Sequence, residues 1–273
     1  MKKIILSFII CCFSLLRVSA AIDSTLVRDI HDSIRVSLVT CSPGTEVYAV
    51  YGHTALRVEI PAQGVDMAIN YGLFSFEAPN FVWRFIKGET DYVVGAVSYP
   101  MFEREYTERG SSVTLLQLNL SEEEKIRLID LLDLNLRPEN REYRYNFLYN
   151  NCSTMARDKV EEALTMDVLT SQDSVQTSYR AILHQYTEGY PWLQYGIDYL
   201  LGIEADQTIS ARKQMFAPEY LQSYTATTQL KGAQGFYPYV VSKEVVAPVA
   251  SQDSVFSFPL TPLQAMILLL LIS

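Results

Sequence analysis

Between residues 35 and 118 the chain carries five short segments with the two-residue alternation of strands, all placed before the first long amphipathic helix. The first, residues 35–41, is rich in Val and Leu and is broken by Ser42-Pro43-Gly44. The second starts as early as His53 and runs to Ile60. Leu56, Val58 and Ile60 fall on one of its faces and His53, Ala55 and Arg57 on the other, while Gly52 permits close approach at its start. In the third, residues 67–74, Ala68, Asn70, Gly72 and Phe74 share a face, which makes Asn70 a polar side chain in an apolar strand. Residues 92–99 and 113–118 complete the set. Residues 79–87 are predicted to be helical, packing Phe81, Trp83 and Phe85 at a core edge, and the charged stretch 103–109 joins the last two strands. Strands gathered ahead of helices point to an α+β fold.

The helical half opens at Ser121-Glu122-Glu123-Glu124, a capping box in which the Ser121 hydroxyl and the Glu124 carboxylate satisfy each other's backbone donors. That helix is predicted to reach residue 134 with Ile126, Ile129 and Leu132 buried, and to stop before Pro138. A second amphipathic helix begins in Tyr149-Asn150-Asn151-Cys152-Ser153-Thr154, with Met155, Val160, Ala163 and Leu164 on its apolar side. Cys152 therefore sits at a helix N-terminus, where unpaired N–H groups and the positive dipole end favour a thiolate. Further on come a polar loop (171–178), helical pieces broken at Gly189 and Pro191 (179–201), a connector (202–217), a short helix (218–228), and a Gly- and Tyr-rich turn and strand (232–241).

Residues 1–20 combine Lys2 and Lys3, an apolar run and Val18-Ser19-Ala20, the pattern of a secretory signal peptide. Residues 21–247 then form a single extracytoplasmic domain, 248–261 have linker composition, and the apolar residues 262–273 read as the start of a truncated transmembrane helix, since a full span needs roughly 20 residues. Removing the peptide takes Lys2, Lys3 and Arg17 from 22 basic residues and nothing from 31 acidic ones, leaving a net charge of −12. Such a surface repels phosphate backbones, so nucleic acid is excluded as a partner, and membrane association must be apolar or tethered. Cys41 and Cys152 remain in the mature chain. No metal site or cofactor is expected, because three histidines and two cysteines offer no pair at ligand spacing.

A cysteine nucleophile needs a base and a group to orient the base. His53, at a strand start, is the candidate base. Asn70, one strand later, is the candidate orienting residue. The backbone N–H groups of Cys152 and Ser153 are placed for an oxyanion hole, with Tyr149 and Asn151 as further donors. Arg57, on the His53 face, and Arg157 with Asp158, about a turn after Cys152, are candidates for an ion pair bracing the site. His31 and His184 are read as structural or surface groups, and part of the aromatic supply is suited to an acyl-chain groove.

Taken together, Tyr51-Gly52-His53-Thr54-Ala55-Leu56-Arg57-Val58, Asn70-Tyr71-Gly72, Tyr149 to Thr154 with Arg157-Asp158, Pro191-Trp192 and Met215 to Leu221 resemble the N-terminal periplasmic domain of the Lnb family of bacterial lipoprotein N-acyltransferases. The resemblance spans about residues 35–221. It implies a permuted papain-like fold, an antiparallel sheet packed against the helix that begins at the catalytic cysteine, with extra C-terminal helices. It also implies a periplasmic enzyme, tethered to the inner membrane in its family form, that moves a phospholipid acyl chain through a Cys152 thioester to the N-terminal amine of a lipoprotein, with His53 as base. Two alternatives stay open on the residues alone: a periplasmic cysteine peptidase or amidase of the NlpC type using the same pair, and a non-catalytic secreted domain with a Cys41–Cys152 disulfide.

Overall fold

A computed structural model describes residues 34–74, 79–169, 176–233, 235–249 and 258–273. In chain order the elements are β1 (Arg35–Cys41), β2 (His53–Ile60), β3 (Val65–Leu73), α1 (Phe81–Ile86), β4 (Asp91–Ser98), α2 (Tyr99–Glu108), β5 (Val113–Leu118), α3 (Glu122–Leu136), β6 (Glu142–Arg144), α4 (Cys152–Ala163), β7 (Asp167–Leu169), α5 (Tyr179–Thr187), α6 (Pro191–Leu200), α7 (Ala211–Gln214), α8 (Pro218–Thr227), β8 (Gln229–Gly232), β9 (Gly235–Pro238), β10 (Val240–Val246) and α9 (Pro262–Ile272). The fold is α+β. Seven strands form one antiparallel sheet in the order β10-β5-β1-β2-β3-β4-β6, and β7, β8 and β9 form a second, small sheet.

Register follows from the alternation. Val36 pairs with Val58 and Leu38 with Leu56, so both strands turn the same apolar set toward α3, α4 and α8. Leu56, Leu116, Leu128 and Leu221 are essentially removed from solvent on this side. Each contributes roughly 1.5–3 kcal/mol of transfer free energy, so this face carries most of the stability. The opposite face is thinner: Val39, Cys41, Ala55, Ala68, Val113 and Leu115 are covered mainly by Tyr99 and Phe102 of α2. A third cluster, built from Tyr179, Ile182, Leu183, Ile209 and Phe216, braces the segments around residues 147 and 148.

The Ser121 capping box is present as read, and Glu124 goes further by accepting from both the backbone N–H (2.7 Å) and the hydroxyl (2.6 Å) of Thr165, which ties α3 to the segment after α4. Several expectations need correction. Residues 103–109 are not a plain connector: α2 occupies most of them, with Pro100 in its first turn and Tyr99, Phe102 and Tyr106 at helical spacing. On α3 it is Leu128, not Ile126, that joins Ile129 and Leu132 in the core. Trp83 is 59% exposed rather than packed at a core edge. Within residues 229–246 there are three strands, and β10 leaves its neighbours to pair with β5 as an edge of the main sheet. Residues 1–33 and 170–175 lie outside the described residues, and with them the signal peptide, His31 and most of the polar loop. Most of the 248–261 linker lies outside as well, although Val249 N–H donates to Thr107 O at the end of α2. No described helix is long and apolar enough to cross a membrane.

Candidate active site

The site forms where the ends of β2 and β3 meet the first turn of α4. Gly52 enters β2 at φ 72°, and a Cβ there would lie 2.6 Å from the Cys41 carbonyl oxygen, so glycine is what lets the chain close against β1. That closure sets His53 directly across from Cys41. Asn70 pairs with Ala55 and shares the α2 face with His53. From there the His53 Nε2 and the Asn70 Oδ1 meet at 2.7 Å. Because an amide oxygen only accepts, Nε2 carries the proton and Nδ1 is left to face the Cys152 thiol, with which the imidazole is hydrogen-bonded.

Cys152 is partly buried, and burial pushes its thiol up. The charge of His53, the hydrogen bond from His53, the Thr54 backbone N–H and the Ser153 hydroxyl outweigh burial and hold the thiol below its ordinary value. His53 shows the mirror image. Burial pushes its imidazole down, but the Cys152 charge, the hydrogen bonds with Cys152 and Asn70, and the charge of Glu105 raise it on balance. The pair therefore favours thiolate and imidazolium together. A buried hydroxyl pair, Thr54 Oγ1 and Ser153 Oγ at 2.9 Å, locks β2 to α4 beneath it.

Two residues near His53 were not singled out from sequence. Tyr106 stacks on the imidazole at 5.7 Å between centroids with 5° between planes, and Phe102 lies 6.3 Å away. The helical spacing of Tyr99, Phe102 and Tyr106 was the signal that could have revealed them. Gly72, at φ 126°, follows Asn70 at a bulge in β3. A Cβ there would come within 3.4 Å of His53 Cε1 and 3.8 Å of the Cys152 Cβ.

The other sequence candidates fall into different places. Asn151 caps α4: its Oδ1 accepts from Ser153 N–H (2.9 Å) and Thr154 N–H (3.0 Å), and its Nδ2 donates to Phe147 O (2.7 Å) and Phe216 O (2.9 Å). Its polar capacity is spent on architecture. The Ser153 N–H is thereby occupied too, so of the two expected oxyanion donors only the Cys152 N–H stands uncommitted among the described residues. Tyr149 is 62% exposed and meets Tyr179 edge-on at 5.8 Å. Arg57 shares the face of His53 but is held four residues away, bidentate to Asp66 at 2.8 and 2.9 Å and 3.9 Å above the Tyr99 ring. Arg157 pairs with its neighbour Asp158 at 2.7 Å and donates to Arg212 O, which joins α4 to α7 rather than bracing the thiol. Cys41 and Cys152 are both free thiols. The disulfide alternative is corrected accordingly: Cys41 is packed under α2, where burial and then the Cys152 charge keep it protonated, whereas Cys152 arrives from α4. His184 pairs with Asp198 at 2.8 Å, away from the thiol. Among the described residues no group of three or more His, Cys, Asp or Glu is gathered for a metal ion.

The arrangement brings together a thiol at a helix N-terminus, an imidazole hydrogen-bonded to it and an amide on the imidazole, the geometry that thiol activation requires. Comparison with family models finds the Lnb N-terminal periplasmic domain over residues 28–185, more than half of the chain. The chain belongs to the Lnb family. Its matched region, a periplasmic domain, carries His53, Asn70 and Cys152 together. Neither the curated proteins nor the solved structures contain a match.

If Asn70 orients the base, alanine there is expected to slow acylation of Cys152 by up to about 10²-fold, the scale of a misplaced reactive group. Loss of its hydrogen bond also lowers the His53 pKa, so the alkaline limb of the pH–rate profile moves to lower pH. An unchanged profile would assign Asn70 to packing.

Proposed function

We propose that this Lnb-family domain is a thiol acyltransferase in which Cys152 accepts an acyl chain from a phospholipid and passes it to the N-terminal amine of a lipoprotein. The observation that carries the reading is the Cys152–His53 contact with Asn70 on the far ring nitrogen. The order His53, Asn70, Cys152, with the cysteine opening a helix laid on an antiparallel sheet, supports a permuted papain-like arrangement.

In this reading the thiolate attacks the ester carbonyl, and the Cys152 N–H with the α4 dipole stabilises the developing oxyanion. Collapse expels the lyso-lipid alkoxide, which takes its proton from His53 and leaves an acyl thioester. The amine of the acceptor then attacks the thioester, His53 accepts its proton, and the Cys152 thiolate departs. Tyr106 and Phe102 wall the imidazole, which limits access of water to the thioester. The signal peptide, a membrane tether and the lipid donor belong to the same proposal.

The test is to incubate detergent-solubilised protein with phospholipid labelled in its acyl chains and to map the label. Acyl label on Cys152, discharged by a diacylated lipopeptide amine, is the expected result. Cleavage of muropeptides without acyl label would replace this reading with the amidase alternative.

A further inference from the structure

Gly72 borders the reacting groups, and Phe74 follows two residues later, at most ~7 Å along the chain. Phe74 is one exposed end of a stack of rings that runs inward to the buried Tyr92. It lies 4.9 Å from Tyr92 and 5.3 Å from Phe81, Tyr92 lies 4.0 Å from Tyr145, and Tyr145 lies 6.0 Å from Phe85, centroid to centroid. The inner end is close enough to the thiol that, after burial, the Cys152 charge is the next cause raising the Tyr92 and Tyr145 hydroxyls. The outer end surfaces around α1, where Leu73 and Phe74 are each 37% exposed, Phe85 38%, Ile86 42% and Trp83 59%. Exposed apolar side chains gathered on one short helix and on the strand end packed beside it mark a binding surface.

Charge says what kind. In a chain of net charge −9, the segment from Phe81 to Lys87 carries Arg84 and Lys87 and no acid. Arg84 is held by Asp91 and by Glu89 O, but the Lys87 ammonium lies 5.2 Å over the exposed Trp83 ring. A tryptophan and a lysine at the edge of an apolar patch suit the boundary between hydrocarbon and phosphate headgroups. A second apolar groove, about 640 Å³ between α6 and α9 and lined by Trp192, Leu193, Leu268 and Leu269, has no comparable link to the thiol.

We infer that Leu73, Phe74, Trp83, Phe85 and Ile86 form a lipid-facing patch, joined to the reacting groups through Gly72 two residues before Phe74, that admits phospholipid acyl chains to the thiol, with Lys87 meeting the headgroup phosphate. The inference rests on the acyl-donor reading above and names where that donor enters.

The chain has two tryptophans, Trp83 and Trp192, one on each apolar surface. Full-length Trp192→Phe protein is mixed with phosphatidylcholine vesicles with and without brominated acyl chains. Trp83 emission is expected to shift to the blue and to be quenched by the brominated lipid. Ile86→Glu in the same background should weaken vesicle binding on the order of tenfold or more. An unquenched Trp83 overturns the inference, as does quenching seen only for Trp192 in Trp83→Phe. Cys152→Ala should leave the quenching intact, because lipid contact does not need the thiol. Acyl label on Cys152 with Trp83 unquenched would sink the patch and keep the donor reading. Quenching without label would keep the lipid contact and sink the donor reading.

Discussion

Alanine at Cys152 is expected to yield a folded protein that takes up no acyl label, and alanine at His53 to reduce acylation at neutral pH by on the order of 10²-fold or more. The two variants separate the nucleophile from its activation. In the wild type the thiol lies below its ordinary value because burial, the largest influence, is outweighed by the sum of the His53 charge and the hydrogen bonds from His53, the Thr54 N–H and the Ser153 hydroxyl. His53 lies above its ordinary value because the lowering by burial is outweighed by the Cys152 charge together with the hydrogen bonds to Cys152 and Asn70 and the charge of Glu105. Thiolate therefore appears at lower pH than in a free cysteine, and its imidazolium partner persists to higher pH. Alkylation of Cys152 by iodoacetamide should rise through a midpoint below the free-thiol value of about 8.5. His53→Ala removes the dominant lowering cause and leaves the burial, so the midpoint should move above that value. A His53→Ala profile that overlays the wild type would mean that the α4 N-terminus alone activates the thiol and that His53 is not the base.

The second large effect is on stability. Asn151→Ala is expected to destabilise the domain by about 2–4 kcal/mol, combining a lost cap with orphaned buried groups. The side chain is 4% exposed and serves four backbone groups: the Ser153 and Thr154 N–H and the Phe147 and Phe216 carbonyls. Water cannot easily replace partners in such a place. Urea unfolding followed by circular dichroism measures the loss. Asn151→Asp keeps the acceptor, loses both donations and sets a negative charge beside the thiolate, so it should also raise the alkylation midpoint. A loss under about 0.5 kcal/mol for alanine would show that the cap is dispensable.

The meeting of His53, Asn70 and Cys152 has a counterpart in the sequence, where each is marked by a local signal. His53 follows a glycine at a strand start, Asn70 is the polar member of an apolar face, and Cys152 opens a helical period after capping residues. Asn151 was legible as a neighbour of the thiol but not as its architect, because two of its four bonds depend on where Phe147 and Phe216 lie, the latter 65 residues away. Arg57 had the face right and the partner hidden, since Asp66 comes from the next strand.

What the chain determines by itself is whatever rests on contacts within a few residues: the alternation that sets strand faces, the Ser121 box that starts α3, the cysteine at the head of α4, and the motifs by which the family is recognised. What only the tertiary structure decided rests on contacts between distant segments. That β10 returns to the edge of the sheet beside β5, that Tyr106 covers the imidazole, that the Ser153 N–H is already taken by Asn151, and that Cys41 remains a separate thiol under α2 all depend on which surfaces exclude water together. Burial and the pairing of polar groups are properties of assembled neighbours, and no period along the chain encodes them.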